Sequence, residues 1–359
     1  MRPVALDASL FDEPTTGIGL YGQELWRALS PLTPVERWGA RHSGEVPRGS
    51  AGRSVWTVSA LPPLLAGRRP RAYHALSNFN LPLQRVLGVP LVLTVHDLVP
   101  LLLPDTVSAA FRWQFRAWLA RSLVVADQVV CVSEVTRRSL AEHFELAPER
   151  VSVIHHGVDH VARVPPPDRV TVQWLDALGL PGDFLLYAGA LDARKNVELV
   201  LSACERLFDG GRPCTLVLAG QRWFGSAAIE ARVRALKARG LDVRLLGYLA
   251  APVFYALMRR AGVFVFPSRY EGFGLPPLEA MSLGVPTVVS SAGALREVCG
   301  EGAAAVDVDD ASGLAFLLEG LLGDAQARAT LAARGLARAS GFRWEATARA
   351  TAAVYDRLA

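Results

Sequence analysis

The segment PSRYEGFGLPPLEAM, from Pro267 to Met281, combines residue types that suit an anionic, polyhydroxylated ligand. An apolar strand, Val263–Phe266, runs into it. Gly272 and Gly274 let backbone amides come close to a ligand. Pro276 and Pro277 sit where the first turn of a helix tolerates proline. A helix from Leu275 to Leu283 would therefore turn its free N–H groups into the loop, where an anion is stabilised. Glu271 in the loop and Glu279 in the first helical turns flank this feature. A pyrophosphate between two hydroxyl-bearing rings would match amides on the phosphate and one carboxylate on each ring. On these residues alone, a purely structural strand-to-helix turn reads equally well.

A second segment, YAGALDARKNV from Tyr187 to Val197, has the same strand–loop–helix form. Gly189 allows a tight turn, and Arg194 and Lys195 place two cations at the helix start, against the helix dipole. An external anion would account for both; a solvated charged loop is the alternative. Lys195 is one of only two lysines among 38 cationic residues, which suggests that a compact ammonium is needed there.

The elements that must position these loops follow from the patterning of the 359 residues. Their length favours two domains, and 51% hydrophobic against 20% charged residues excludes a mainly disordered chain. A net charge of +4 without a basic run argues against a nucleic-acid partner. Strands are predicted at Val4–Leu6, Ser54–Val58, Ala72–Ala75, Leu91–Val95, Gln128–Val132 and Val151–Ile154. Helical spacing begins at Leu20, and helices are predicted over Ser108–Ala126 and Glu134–Phe144, the latter capped by Ser133. Residues 159–183, with four prolines and little periodicity, mark a boundary. A second series follows, with strands Phe184–Tyr187, Thr215–Leu218, Val243–Leu245, Val263–Phe266 and Pro286–Val289. Its helices are Lys195–Phe208, Ser226–Arg239, Ala251–Arg260 and Leu275–Leu283. Buried apolar strands alternating with amphipathic helices indicate α/β domains with parallel sheets covered on both faces.

With these motifs in place, the chain resembles the retaining glycosyltransferases of the GT4 family. Glu271 and Glu279 form its E-x7-E pattern, and Arg194–Lys195–Asn196 its phosphate loop. The likeness extends through TGIG (Thr16–Gly19), VHDLVPL (Val95–Leu101), VSEVTRRSL (Val132–Leu140), HHGVD (His155–Asp159) and FRWEATARATAAVY (Phe342–Tyr355). The wording of HDLVPL and HHGVD is most similar to bacterial mannosyltransferases of polysaccharide assembly. The resemblance implies a GT-B fold: two Rossmann-like domains facing across a cleft, with the C-terminal helix crossing back to the first. Residues 1–163 would bind the acceptor, 164–342 the nucleotide sugar, and 343–359 would form the returning helix. The donor would be a nucleotide-diphosphate sugar, the acceptor a glycan, a lipid-linked saccharide or a small molecule, with no further cofactor and no metal.

The resemblance also implies roles residue by residue. Glu279 would bind the ribose hydroxyls. Glu271 would face the donor sugar, with the amides of Gly272, Phe273, Gly274 and Leu275 near its hydroxyls and the phosphate. Arg194 and Lys195, after Gly189, would hold the pyrophosphate, and the base would lie near Gly247 and Tyr248. Gly17 and Gly19 would let their loop approach the donor, and His96 would sit near the sugar. The chain departs from the family at Ala190, where many members carry arginine, which leaves that charge to Arg194.

Other features have plainer readings. Asp307-Val308-Asp309 spells DxD but precedes a helix, so Asp309 or Asp310 is expected to cap it. His155 and His156, at a strand end, are expected to be structural. Cys131, Cys204, Cys214 and Cys299 are widely spaced, as for buried thiols in a reducing compartment. MRPVALDASL runs straight into a strand, so a cytoplasmic protein is expected. The helix Ser108–Ala126 carries Phe111, Phe115, Trp118 and Leu119 beside Arg112, Arg116 and Arg121. It reads as a core helix with a basic edge, or as a peripheral contact with the inner face of a membrane. Two further enzyme classes compete. The run GIGLYG fits a dinucleotide fingerprint, but only Glu36 follows as a ribose acid, within a proline-broken stretch. A GT-B epimerase or phosphorylase is the other, and a non-catalytic paralogue is disfavoured by the intact glutamate pair.

Overall fold

The computed structural model describes residues 2–11, 17–39, 50–223 and 226–358. The chain divides into two units, one of residues 1–157 with 343–359 and one of residues 158–342. Among the described residues the first unit holds β1 (Val4–Asp7), β2 (Val35–Trp38), β3 (Ala72–Ala75), β4 (Leu91–Val95), β5 (Gln128–Cys131) and β6 (Val151–Val153). They form one sheet in the order β2-β1-β3-β4-β5-β6, every pair parallel. The second unit holds β7 (Leu185–Ala188), β8 (Thr215–Ala219), β9 (Asp242–Gly247), β10 (Val263–Phe266), β11 (Thr287–Ser290) and β12 (Ala304–Val306). Their order is β12-β11-β10-β7-β8-β9, again all parallel.

The central strands β1, β3, β4, β7, β10 and β11 are buried along their whole length. This explains the apolar runs LVLTV, LLYA and VFVF of β4, β7 and β10, because helices cover both faces of a parallel sheet. In each sheet the order reverses beside the first strand. β1 lies between β2 and β3, and β7 lies between β8 and β10. The loops that leave the carboxyl ends of such neighbours diverge and open a crevice.

The C-terminal helix Trp344–Asp356 belongs to the first unit, where Trp344, Ala348, Val354 and Tyr355 join a core with Leu6, Tyr21, Leu25 and Leu29. Its docking is polar as well: Tyr355 Oη lies 2.7 Å from His74 Nδ1, and Thr347 Oγ1 donates to His155 O over 2.7 Å.

Several local expectations are corrected. Ser54–Val58 is not a strand: Ser50–Val55 is helical and continues through a wide turn, Trp56–Ala60, into the helix Leu61–Arg68. Trp56, Leu61 and Leu65 bury one side while Val55 and Val58 stay exposed, so helical packing overrides β-branched propensity. Gly17 and Gly19 lie in the first turn of the helix Gly17–Leu29 rather than in a loop, and Thr16 lies outside the described residues. The edge strand β2 and the amphipathic helix Arg169–Ala177, capped by Asp168, are elements that the sequence reading does not include. The first unit ends at Gly157, six residues before the expected boundary at 163. His160 is the physical reason, since its ring is buried among residues of the second unit.

Candidate active site

β7 and β10 are neighbours, so the loops that follow them start side by side at the switch point of the second sheet before they diverge. Backbone and amide contacts stitch the two loops together. Arg269 N donates to Arg194 O over 2.8 Å, and Asn196 Nδ2 donates to Pro267 O and Val308 O over 3.1 and 2.7 Å. Asn196 is buried with φ +56° and starts the helix Val197–Asp209. Of the three residues in the Arg-Lys-Asn run, it is therefore the one that builds the loop, and it leaves its two neighbours to supply charge.

Glu271 is the hub of this loop pair. Its Oε1 accepts from Arg194 Nη1 at 3.0 Å, Lys195 Nζ at 2.6 Å and Ser268 Oγ at 2.6 Å. Lys195 Nζ also lies 4.8 Å from the centre of the Phe266 ring. Burial opposes ionisation of Glu271, but Lys195 and then Arg194 outweigh it and hold the carboxyl below its usual range. The cations at this helix start thus do not need an external anion to fold, because Glu271 supplies the counter-charge from 76 residues away.

Gly293 sets where Glu271 can sit. A Cβ at this position would lie 2.7 Å from both Glu271 N and Glu271 O, and φ is +59°. Ala294 N donates to Glu271 O over 2.9 Å and closes the contact.

The other carboxylate, Glu279, is buried in the helix Leu275–Ser282. Gly274 opens that helix at φ +94°, with Pro276 and Pro277 in the first turn. Glu279 Oε1 accepts from Tyr255 Oη over 3.0 Å and lies 3.0 Å from His160 Nε2; these two partners are 3.3 Å apart. Sequence reasoning missed both partners. His160 directly follows the HHGVD run, and that adjacency was the available signal. Tyr255, inside the helix Ala251–Arg260, carried none.

The remaining expected residues of this unit line the same carboxyl edge. Gly189 N donates to Ala219 O, and Gly220 N donates to Gly247 O. These bonds align the ends of β7, β8 and β9. Tyr248 is 52% exposed beside Gly247. Gly272 and Gly274 are buried in the loop, and Leu275 is half-buried. Phe273 instead turns its ring to Phe342, 6.0 Å away, so its side chain serves the core.

His96 stands in the first unit, just after β4. Its Nε2 lies 2.9 Å from Leu76 O, and the Tyr21 ring packs edge-on at 4.9 Å. Burial pushes its pKa down to about 4, so the ring is neutral near pH 7, with Nε2–H as the donor. His156 stacks on Trp344 at 5.8 Å. Asp310 caps the helix Ala311–Gly323, and Asp309 pairs with Arg269 at 2.8 Å. Among the described residues, no group of three or more His, Cys, Asp or Glu could hold a metal.

Comparisons with known proteins bear on this site. The profile described as "Glycosyltransferase Family 4" matches residues 24–161, and the profile described as "Glycosyl transferases group 1" matches residues 182–324. The chain is 30% identical to the O-antigen chain mannosyltransferase B of Escherichia coli, across 96% of this chain and 97% of that protein. It is 29% identical to the lipopolysaccharide core biosynthesis mannosyltransferase LpsB of Rhizobium meliloti, across 81% of each. Among solved structures it is similar to the sucrose-phosphate synthase of Thermosynechococcus elongatus, with a TM-score of 0.77 and 22% identity over 100% and 99% of the two chains. It is also similar to HepE of Anabaena in complex with UDP-glucose, with a TM-score of 0.73 and 20% identity over 99% and 100%. Both structural likenesses are of fold, and they agree with the expected GT-B class. The two matched profiles and the full-length relative assign the chain to the family 4 glycosyltransferases.

Proposed function

We propose that the chain transfers a hexose, with mannose as the first candidate, from a nucleoside-diphosphate sugar to a hydroxyl of a glycan or lipid-linked acceptor, with retained anomeric configuration. The observation that carries this reading is the Glu271–Arg194–Lys195 cluster at the switch point, on the same sheet edge as buried Glu279. The mannosyltransferase relatives and the UDP-glucose complex of a protein with the same fold support the donor class. Arg194 and Lys195 then hold the pyrophosphate and share their charge with Glu271. Glu279 takes the ribose hydroxyls, and the base lies against Gly247 and Tyr248. Glu271 and the amides of residues 272–275 meet the sugar. His96, through Nδ1, is a candidate acceptor for a sugar hydroxyl.

In the reaction, the acceptor oxygen bonds to the anomeric carbon as the bond from that carbon to the phosphate oxygen breaks. The acceptor's proton passes to the departing diphosphate on the same face. No protein nucleophile takes part. The charge that builds on the leaving group meets Arg194, Lys195 and the amides that open the helix Leu275–Ser282, without a divalent cation or other cofactor. The outer face of the helix Ala109–Val125, with exposed Trp113, Arg112 and Arg116, supports a peripheral membrane contact beside a lipid-linked acceptor. No helix among the described residues is long and apolar enough to cross a membrane.

The test is a thermal-shift panel of GDP, UDP, ADP and dTDP and their sugars, since a ligand that binds only the folded state raises its stability by mass action. One nucleotide should stand out, and its sugar should be transferred with retention by NMR, in EDTA as in magnesium. Failure of every nucleotide sugar to stabilise or react would refute the reading, and loss of transfer in EDTA would refute its metal independence.

A further inference from the structure

The three donors that reach Glu271 differ in kind. Arg194 and Lys195 are cations, and either can turn part of its charge to a stronger anion. Ser268 is neutral. Its Oγ lies 2.6 Å from Glu271 Oε1, against 3.2 Å from Arg194 O and 3.3 Å from Tyr270 O. A hydroxyl has one proton to give, and the short contact with a carboxylate is the charge-assisted one. The proton therefore lies toward Glu271.

The main chain at Ser268 is fixed on both sides. Pro267 O accepts from Asn196 Nδ2 over 3.1 Å, and Ser268 O accepts from Ser290 Oγ, at the end of β11, over 2.5 Å. Ser268, Ser290 and Asn196 are all buried, so the backbone that aims the hydroxyl is shielded from any ligand. Among the described residues, all three donors meet Glu271 at Oε1 and none at Oε2. Oε2 is not sealed in the protein either, since no oxygen of Glu271 is among the buried polar atoms without a partner. The carboxylate is thus gripped by one oxygen and open at the other.

A diphosphate carries more charge than one carboxylate, so it competes with Glu271 for Arg194 and Lys195. Ser268 is out of its reach, because no part of that side chain meets solvent. We infer that Ser268 is the positioning residue of Glu271: it holds Oε1 while the pyrophosphate draws on Arg194 and Lys195, and so keeps Oε2 turned to the hydroxyls of the donor sugar. The inference rests on the transferase reading for the identity of the ligand. It gives a neutral residue that touches no ligand a share in telling a nucleotide sugar from its bare diphosphate.

Calorimetric titration of the full chain tests it, with the nucleoside diphosphate picked out by the thermal-shift panel and with the sugar of that diphosphate. In Ser268→Ala the affinity for the nucleotide sugar, taken relative to that for the diphosphate, should fall about tenfold. Turnover should fall by about as much, while diphosphate affinity stays within about twofold of the wild type. Ser268→Cys, a weaker donor of similar size, should give values between the two. In a Glu271→Ala chain, adding Ser268→Ala should change neither affinity by more than about twofold, since the oxygen it held is gone. An unchanged ratio in Ser268→Ala would overturn the inference. So would a loss shared equally by the diphosphate and its sugar, which would make Ser268 a support of the loop as a whole. A wild type that binds the diphosphate but neither binds nor turns over any of its sugars would refute the transferase reading and the inference together, a result distinct from the other two.

Discussion

Glu271 carries the electrostatics of the donor loops. It is 13% exposed, as is Lys195, so the pair is shielded from solvent and strongly dependent on each partner. Removing one member of such a pair leaves an uncompensated charge and costs about 3–5 kcal/mol. Glu271→Gln should therefore lower the melting temperature. It should also enlarge the stabilisation by a nucleoside diphosphate, because the phosphates replace the lost counter-charge at Arg194 and Lys195. Lys195→Ala should have the opposite effect on binding, weakening that of the diphosphate by about 2–4 kcal/mol while nucleoside binding is spared. Lys195→Arg should recover only part of this, since a planar guanidinium cannot occupy the same point. Exposed Lys237→Arg is the control. Calorimetric titration with diphosphate and nucleoside reads all four, and an unchanged diphosphate affinity in Lys195→Ala would remove this loop as the phosphate site.

At the scale of elements, short contacts between loops decide where the carboxylates point. Gly293 leads into the helix Leu295–Cys299, and its missing side chain is what lets that turn lie on the Glu271 backbone. Gly293→Ala would force a Cβ into a gap of 2.7 Å at φ +59°. The turn or Glu271 must move, with about 1–3 kcal/mol of added strain. The expected result is a loss of turnover of at least about tenfold, from displacement of Glu271 by a fraction of an ångström. Nucleoside affinity should hold, because Glu279 is fixed separately by His160 and Tyr255. Steady-state kinetics beside nucleoside titration checks the split, and equal losses in both would show that the turn supports the whole edge rather than Glu271.

At the scale of the whole molecule, the return of the C-terminal helix to the first unit is recorded in one buried network. Tyr355 Oη meets His74 Nδ1 at 2.7 Å, His74 Nε2 meets Thr94 Oγ1 at 2.8 Å, and Thr94 meets Tyr21 Oη at 3.2 Å. Burial, and then the neighbouring His96, lower the His74 pKa to about 3. The unfolded chain takes up this proton below about pH 6.5, but the folded chain does so only near pH 3. The unfolded state thus binds more protons throughout that window, and stability must fall as the pH drops through it. The full linkage is on the order of 5 kcal/mol. Melting temperatures measured from pH 7 to pH 4 should decline, and His74→Asn, which does not titrate, should show a shallower decline. Parallel curves for the two proteins would mean that His74 is not the group responsible.

Patterning along the chain determined the two α/β series and most strand positions, and the resemblance of its motifs indicated the family. These are local or periodic signals: buried parallel strands are largely apolar, and a helix start tolerates proline and needs a cap. Only the tertiary structure decided which charges meet. Glu271 neutralises Arg194 and Lys195, and His160 reaches Glu279 across 119 residues. Strand order brings these groups together, and nothing in their local sequence encodes it. The same holds for Val55 and Val58, whose β-branched types suggested a strand until the burial of Trp56, Leu61 and Leu65 made a helix of the segment. Burial free energy belongs to the assembled core and outweighs the smaller preference of each residue for a strand.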